Sequence, residues 1–189
     1  MKKEINLETW KRKSHFEFFS AMEEPFYGVT VEIDVTKAYE KAKELKTSFF
    51  IYYLHATLKT MNELPAFRLR IDNRKVYEHD RIDASSTVMK ANETFGFSHI
   101  IYNDDYNVFA KSVQKEIERV KQTDTLLTKD DYGENIIHFS AVPFINFTSL
   151  THARGFSYPD SCPKVSIGKM VEKEDKKIFN VALFAHHGL

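Results

Sequence analysis

Hydrophobic side chains recur at every second position in several stretches, a pattern that predicts β-strands because neighbouring side chains on a strand face opposite ways. The clearest stretch is 27–34, where Val29, Val31 and Ile33 share one face. A longer apolar run begins at residue 178 and ends at two adjacent histidines, which predicts a well-buried strand. Similar patterns predict further strands at 67–71, 76–77, 86–90, 95–102, 136–142 and 164–171.

Apolar residues three and four positions apart predict three helices, at 36–46, 48–64 and 106–123. Thr36 is the predicted N-cap of the first helix, and Pro65 ends the second. No element is predicted for 5–19, whose aromatic residues we expect to pack against the rest of the chain. Several strands and three helices without strict alternation predict one α/β domain over 1–189, a mixed sheet covered by a layer of helices.

Composition and charge narrow the function classes. Lys and Arg number 27, as do Asp and Glu, so there is no net charge to attract nucleic acid or anionic lipid. Cys162 is the one cysteine, which excludes an internal disulfide, and no segment approaches the roughly 20 apolar residues of a membrane span. We therefore expect a soluble cytoplasmic protein with no nucleic-acid or membrane partner.

The candidate chemistry is limited. The sequence has no phosphate-binding glycine loop, no zinc-type spacing of cysteines and histidines and no dinucleotide-binding fingerprint, so no metal is predicted. Cys162 has no activating neighbour and is interpreted as an ordinary small residue. Only one of His186 and His187 can point into a given cleft, which makes one a candidate base and the other structural. A packed histidine or a metal pair would explain the same dipeptide.

Four segments together resemble the trimeric chloramphenicol acetyltransferases, whose catalytic histidine is borne on a strand. Residues 10–18 resemble the family's Trp-x-Arg-x-x-His-Phe signature, 93–95 its Glu-Thr-Phe, and 140–149 its Ser-Ala-x-Pro-Trp-x-x-Phe-x-Ser. The final His186-His187 begins its His-His-x-x-x-Asp-Gly motif. The order of these segments along nearly the whole chain carries the resemblance, which implies a two-layer, CoA-dependent acyltransferase fold.

The resemblance also implies roles for individual residues, with acetyl-CoA as co-substrate. His187 matches the general base that takes a proton from the acceptor hydroxyl. Ser140 matches the hydroxyl that binds the oxyanion, and Ser166 stands where the family usually has a threonine that holds a water. Arg12 matches an arginine that pairs with the motif's aspartate, and His186 is implied to be structural.

A homotrimer is implied too, with active sites between subunits, and an aromatic content of 14% is generous for one small core. The implied acceptor pocket contains Phe19, Tyr27, Phe95, Leu150, His152 and Arg154. Because His152 and Arg154 stand where the family has large apolar groups, we expect weak or no activity on chloramphenicol. An unpaired arginine there favours an acceptor with an acidic or strongly hydrogen-bonding group. The alternative is a re-routed loop that turns both side chains to solvent.

Two other interpretations stay open. The catalytic domain of dihydrolipoamide acyltransferases shares the terminal motif, although this sequence has no lipoyl module or Pro/Ala-rich linker. A non-catalytic homologue that binds a small molecule or forms a trimer would show the same motifs. The printed sequence ends at Leu189, two residues before the motif's aspartate, and we expect it to be incomplete there.

Overall fold

The computed structural model describes residues 1–155 and 160–189. The described part contains four α-helices, α1 (Lys13–Ser20), α2 (Thr36–Glu44), α3 (Phe49–Glu63) and α4 (Tyr106–Lys121), and a 3₁₀ turn at Pro65–Arg68. Its strands are β1 (Lys2–Glu4), β2 (Phe26–Asp34), β3 (Leu69–Asp72), β4 (Lys75–His79), β5 (Asp83–Met89), β6 (Phe95–Phe97), β7 (Ile136–Ala141), β8 (Lys164–Ile167), β9 (Val171–Lys173) and β10 (Lys176–His186).

Seven of these strands form one mixed sheet in the order β2-β10-β8-β7-β5-β6, with β9 paired to β10. The pairs β5–β7 and β7–β8 are parallel, and the others are antiparallel. A separate antiparallel sheet has the order β1-β4-β3. The mixed sheet with its layer of helices confirms the predicted α/β fold.

The helices cover one face of the large sheet. On α3, Leu54, Leu58 and Met61 are buried at the spacing of one helical stripe, as the sequence predicted. They pack with side chains from α4 and from alternate strand positions into one apolar core, which includes Ala84, Phe109, Val113, Ile137, Phe139, Val165, Ile167 and Phe179. Burial of this apolar surface is the main source of stability for the fold.

Some predicted elements differ from the observed ones. Residues 13–20 form a helix that the sequence pattern did not reveal, because its N-cap residue Arg12 makes no side-chain capping bond and only Phe16 is buried along it. The strand predicted at 95–102 ends at Phe97, although Ile100 still exchanges backbone hydrogen bonds with Ala84 of β5. Helix α2 has Val35, not Thr36, as its N-cap residue.

Candidate active site

Two predicted catalytic hydroxyls lie side by side on the face of the sheet opposite the helices. Ser140 on β7 is the direct partner of Ser166 on β8, and Ser166 in turn faces Ala182 on β10. Because directly paired residues share one face, both hydroxyls point away from the helix layer. Ser166 is fully buried, whereas Ser140 is half-buried. The structure therefore brings this pair together as a local unit.

The chain after β7 folds back over this face. The side-chain amide of Asn180 donates to the carbonyl of Phe147 at 2.8 Å, and Phe147 is buried. His152 lies over the serines, with its Nε2 3.5 Å from the Ser166 Oγ and its ring edge-on to Phe184. Burial, helped by the nearby Lys164 charge, lowers the pKa of His152. The imidazole therefore does not point to solvent, contrary to the re-routed-loop alternative.

A cavity of about 400 Å³ lies beside Ser140, and we call it the serine cavity. Eight of its twelve described wall residues have polar side chains. The walls consist of Ser85, Thr87, Phe97, His138, Phe139, Ser140, His152, Ala153, Arg154, Gly155, Asp160 and Lys164. A cleft of this size falls in the range of small-molecule sites, about 300–1,000 Å³.

Arg154 lies at the rim of this cavity, between two carboxylates and an aromatic ring. Its guanidinium forms an ion pair with Glu24, lies 3.8 Å from the Asp160 carboxylate, and stacks on the ring of Phe26 at 3.7 Å. Asp160 in turn pairs with the buried ammonium of Lys164. The sequence-based expectation of an unpaired arginine was wrong, because Glu24 lies 130 positions away in sequence and its approach depends on the tertiary fold.

His187 lies at the far end of β10, where its ring is exposed. The ring stacks on Phe19, with 3.9 Å between centroids and an angle of 11°, and Tyr27 lies 4.7 Å away on the adjacent strand. The His187 amide donates to the carbonyl of Pro25 at 2.9 Å, and its carbonyl accepts from Arg12 at 3.0 Å. Arg12 thus holds the backbone of the histidine, and two aromatic rings orient its imidazole.

His186 has the opposite character. Its side chain is buried, its Nδ1 accepts from the Gly188 amide at 3.1 Å, and Phe26 packs edge-on against the ring. Burial, together with the charge of Arg154, lowers the pKa of His186 to about 4. The ring is neutral near pH 7 and fixes the turn after β10. Only one of the two histidines is therefore accessible to a ligand.

Within one chain, His187 and the serines stay apart. A second cavity of about 260 Å³, the histidine cavity, is lined by Arg12, Tyr27, His186, His187 and other residues. Among the described residues none lines both this cavity and the serine cavity. A larger cleft of about 880 Å³ between α1 and the small sheet contains neither Ser140 nor His187 among its described walls.

The other predicted pocket residues are divided in the same way. Phe19 and Tyr27 lie with His187, whereas His152 and Arg154 lie at the serine cavity. Phe95 is largely exposed on β6 and contacts Phe97, which lines the serine cavity. Leu150 is half-buried, and in the described part of the chain it lines neither cavity.

Several wall residues of the serine cavity escaped the sequence analysis, namely Ser85, Thr87, His138, Asp160 and Lys164. The period-two pattern contained a signal for most of them. In β7 the core residues Ile137 and Phe139 alternate with His138 and Ser140, and β8 repeats the pattern with Lys164. A polar set on the second face was therefore readable, although which strands are neighbours was not.

Other functional classes receive no support from the described residues. Residues 1–155 and 160–189 contain no group of three or more His, Cys, Asp or Glu side chains arranged to hold a metal ion. No helix in these ranges is both long and apolar enough to cross a membrane. Burial raises the pKa of the Cys162 thiol to about 11, and its Sγ lies 3.1 Å from the Ile136 carbonyl. A protonated thiol is a weak nucleophile, as expected for an ordinary packed cysteine.

Comparison with known proteins decides the family. The sequence profile of chloramphenicol acetyltransferase matches residues 2–189. The chain belongs to the chloramphenicol acetyltransferase family. The enzyme of that name from Escherichia coli is 26% identical over 186 residues, which cover 98% of this chain and 84% of that one. The enzyme from Staphylococcus aureus is 28% identical over 188 residues, which cover 98% of this chain and 89% of that one. The chain is therefore an acyltransferase.

Solved structures agree with this assignment. A chloramphenicol acetyltransferase of 30% sequence identity superposes with a TM-score of 0.89, covering all of this chain and 91% of that one. A dihydrolipoamide acetyltransferase from Azotobacter vinelandii gives a TM-score of 0.68 at 13% identity, with 93% of this chain and 78% of that chain covered. At that identity the second likeness shows a shared fold alone, so the dihydrolipoamide alternative has only the fold in its favour.

Proposed function

We propose that this acetyltransferase moves the acetyl group of acetyl-CoA directly to an acceptor hydroxyl, with His187 as general base and Ser140 as oxyanion donor. The observation that carries the proposal is the pair of neighbouring serines, Ser140 and Ser166, beside an open cavity. The exposed histidine near the end of the same chain, His187, packs between the rings of Phe19 and Tyr27. A positioned imidazole and a positioned hydroxyl are the two groups that such a transfer needs.

Each residue has one task in the proposed reaction. A ring nitrogen of His187 takes the proton of the acceptor hydroxyl, so that the hydroxyl oxygen forms the new bond to the thioester carbonyl carbon. Ser140 donates its hydrogen to the carbonyl oxygen as that atom gains negative charge. The carbon–sulfur bond then breaks, and His187 returns its proton to the departing thiolate. Ser166, next to Ser140 on the neighbouring strand, holds a water near the intermediate, and Arg12 keeps the His187 backbone in place.

We further propose that the site forms between copies of this chain, in a homotrimer. His187 and Ser140 line different cavities, so neither cavity alone contains both groups. Strand β2 supports assembly, because it is an edge strand whose Tyr27, Val29 and Val31 side chains are 50%, 49% and 46% exposed. Exposed apolar residues grouped on one strand favour contact with another protein surface. A light-scattering mass equal to that of one chain, in an active preparation, would refute the assembly.

Thiol release from acetyl-CoA tests the proposed reaction. Direct transfer predicts that CoA appears only when an acceptor hydroxyl is present. It also predicts that the protein mass stays unchanged after incubation with acetyl-CoA alone. A stable acetyl adduct on Cys162 or on a serine that is passed on to acceptor would contradict direct transfer. A protein that binds acetyl-CoA and releases no thiol with any acceptor would instead be the non-catalytic homologue.

The cytoplasmic location expected from the sequence remains a prediction.

A further inference from the structure

The floor of the serine cavity is formed by strand residues, five of which have polar side chains. Ser85 and Thr87 project from β5, His138 from β7 and Lys164 from β8, next to Ser140. Strand pairing places Ser85 opposite His138 and His138 opposite Lys164, so these side chains form one continuous row. An apolar ligand seated on this row would leave buried hydrogen-bonding groups without partners, which is costly.

The charges around the cavity are already matched within the chain. The Lys164 ammonium pairs with Asp160 and donates to the carbonyl of Cys162 at 3.0 Å. Arg154 pairs with Glu24. An anionic ligand would compete with these carboxylates, and it would meet the negative charge of Asp160 in the cavity wall. The basic groups of the cavity are therefore already neutralised, and a ligand does not need a negative charge to bind there.

The remaining groups of the row are free to bind a ligand. Within residues 1–155 and 160–189, the hydroxyls of Ser85 and Thr87 and the ring of His138 make no hydrogen bond to another side chain or to the backbone. The ring of His138 is solvent-accessible. Desolvation in the cavity, helped by the nearby Lys164 charge, lowers the pKa of both His138 and His152, whose neutral rings each offer one donor and one acceptor. Phe97 adds one aromatic wall.

We propose that the acceptor is a neutral, densely hydroxylated small molecule of the carbohydrate type, bound in the serine cavity with one hydroxyl directed to Ser140. This rests on the proposed acetyltransferase function and names its substrate class. Several hydroxyls on one compact ring match a wall that alternates donors and acceptors on Ser85, Thr87, His138 and His152. The C–H face of such a ring can lie against Phe97.

The test uses the intact protein with three sets of probes: neutral methyl glycosides, the corresponding sugar phosphates, and chloramphenicol. Binding is measured by ligand-observed NMR, and transfer is measured by thiol release from acetyl-CoA. We expect at least one glycoside to bind, and to exceed chloramphenicol in kcat/KM by about tenfold or more, as one or more unmatched hydrogen bonds would require. The sugar phosphates should be poorer than their parent glycosides.

Variants of the row make the test specific. His138→Phe should lower glycoside kcat/KM by about tenfold and raise that for chloramphenicol, because it replaces two polar ring atoms with carbon. The nearly isosteric Thr87→Val provides a second variant with little risk to folding. His15→Phe, an exposed position on α1, is the matched control and should change neither value.

Three results would overturn the inference: no glycoside binds, a sugar phosphate is preferred to its parent glycoside, or chloramphenicol is the better acceptor. The binding measurement separates these from failure of the proposed function. If glycosides bind and the His187→Ala variant still transfers acetyl groups at the full rate, the catalytic proposal fails while the acceptor class stands.

Discussion

The two faces of the seven-stranded sheet are made by the same strands and differ in almost every property. On β7, Ile137 and Phe139 point into the helix layer, while their sequence neighbours His138 and Ser140 point to the serine cavity. The first face is apolar and closed, so it contributes stability. The second is polar and partly open, so it can bind and react. Strand alternation thus lets stability and chemistry change independently, one residue apart.

The largest effect is expected outside both faces, at the exposed histidine that follows β10. His187→Ala should lower kcat by up to about 10⁴-fold, the upper range for loss of a general base, with little change in unfolding temperature because the ring is exposed. Thiol release and thermal unfolding measure the two quantities. His15→Ala, an exposed histidine on α1, is the control that should keep full activity. Equal activity in the two variants would exclude His187 as the base.

The adjacent pair Phe139 and Ser140 compares the two faces most closely. Phe139→Ala should lower the free energy of unfolding by about 3–5 kcal/mol, because a fully buried ring in the helix-covered core is replaced by a cavity. Denaturant titration of the variant checks this value. A loss under about 1 kcal/mol would mean that the sheet face around β7 is not the closed core described above.

Ser140→Ala should have the reverse profile. We expect kcat to fall by about 10²-fold to 10³-fold through loss of the oxyanion donor, while the free energy of unfolding stays nearly constant. The half-buried Ser140 hydroxyl has no hydrogen-bond partner among the described residues, so its removal leaves none unsatisfied. Single-turnover kinetics would separate this effect from a change in binding. An unchanged kcat would remove Ser140 from the chemistry.

A smaller effect, on the free energy of unfolding, is expected when acid protonates His186. Its pKa of about 4 in the folded chain lies below the ordinary value of 6.5, so the unfolded state binds more protons between pH 6.5 and pH 4. The free energy of unfolding should therefore fall as pH falls through that window, by at most about 3 kcal/mol from this residue. His186→Gln removes the titration and should flatten this part of the profile. Identical slopes for the two proteins would contradict the assignment.

The sequence predicted the strands and the long helices because their periodic patterns report local burial directly. Leu54 and Leu58 on α3 are examples. The alternation at Val29, Val31 and Ile33 also predicted β2, although these side chains are exposed in a single chain. The position of His152 was not predictable, because its contacts are with Ser166 on β8 and Phe184 on β10, which are distant in sequence. The ion pair between Arg154 and Glu24 was not predicted, for the same reason. Contacts between segments distant in sequence have no local pattern.

The sequence motifs proposed members for the candidate site, but they did not indicate how those members are arranged. The motifs proposed Ser140, Ser166 and His187, and the strand register places the two serines next to each other. No sequence pattern states that His187 opens on another cavity, because that follows from where β10 ends relative to β7 and β8 in the sheet.

The central claim is that one copy of the chain supplies His187 and another copy supplies the cavity beside Ser140. Mixing two inactive variants tests this claim most directly. The His187→Ala and Ser140→Ala chains are unfolded together, refolded at equal amounts and assayed for thiol release with an acceptor that the unmodified protein uses. Random assembly should place both intact residues in about a quarter of the sites, and activity should return to about that fraction of the unmodified level. Activity no higher than the average of the two variants refolded alone would contradict a site shared between copies.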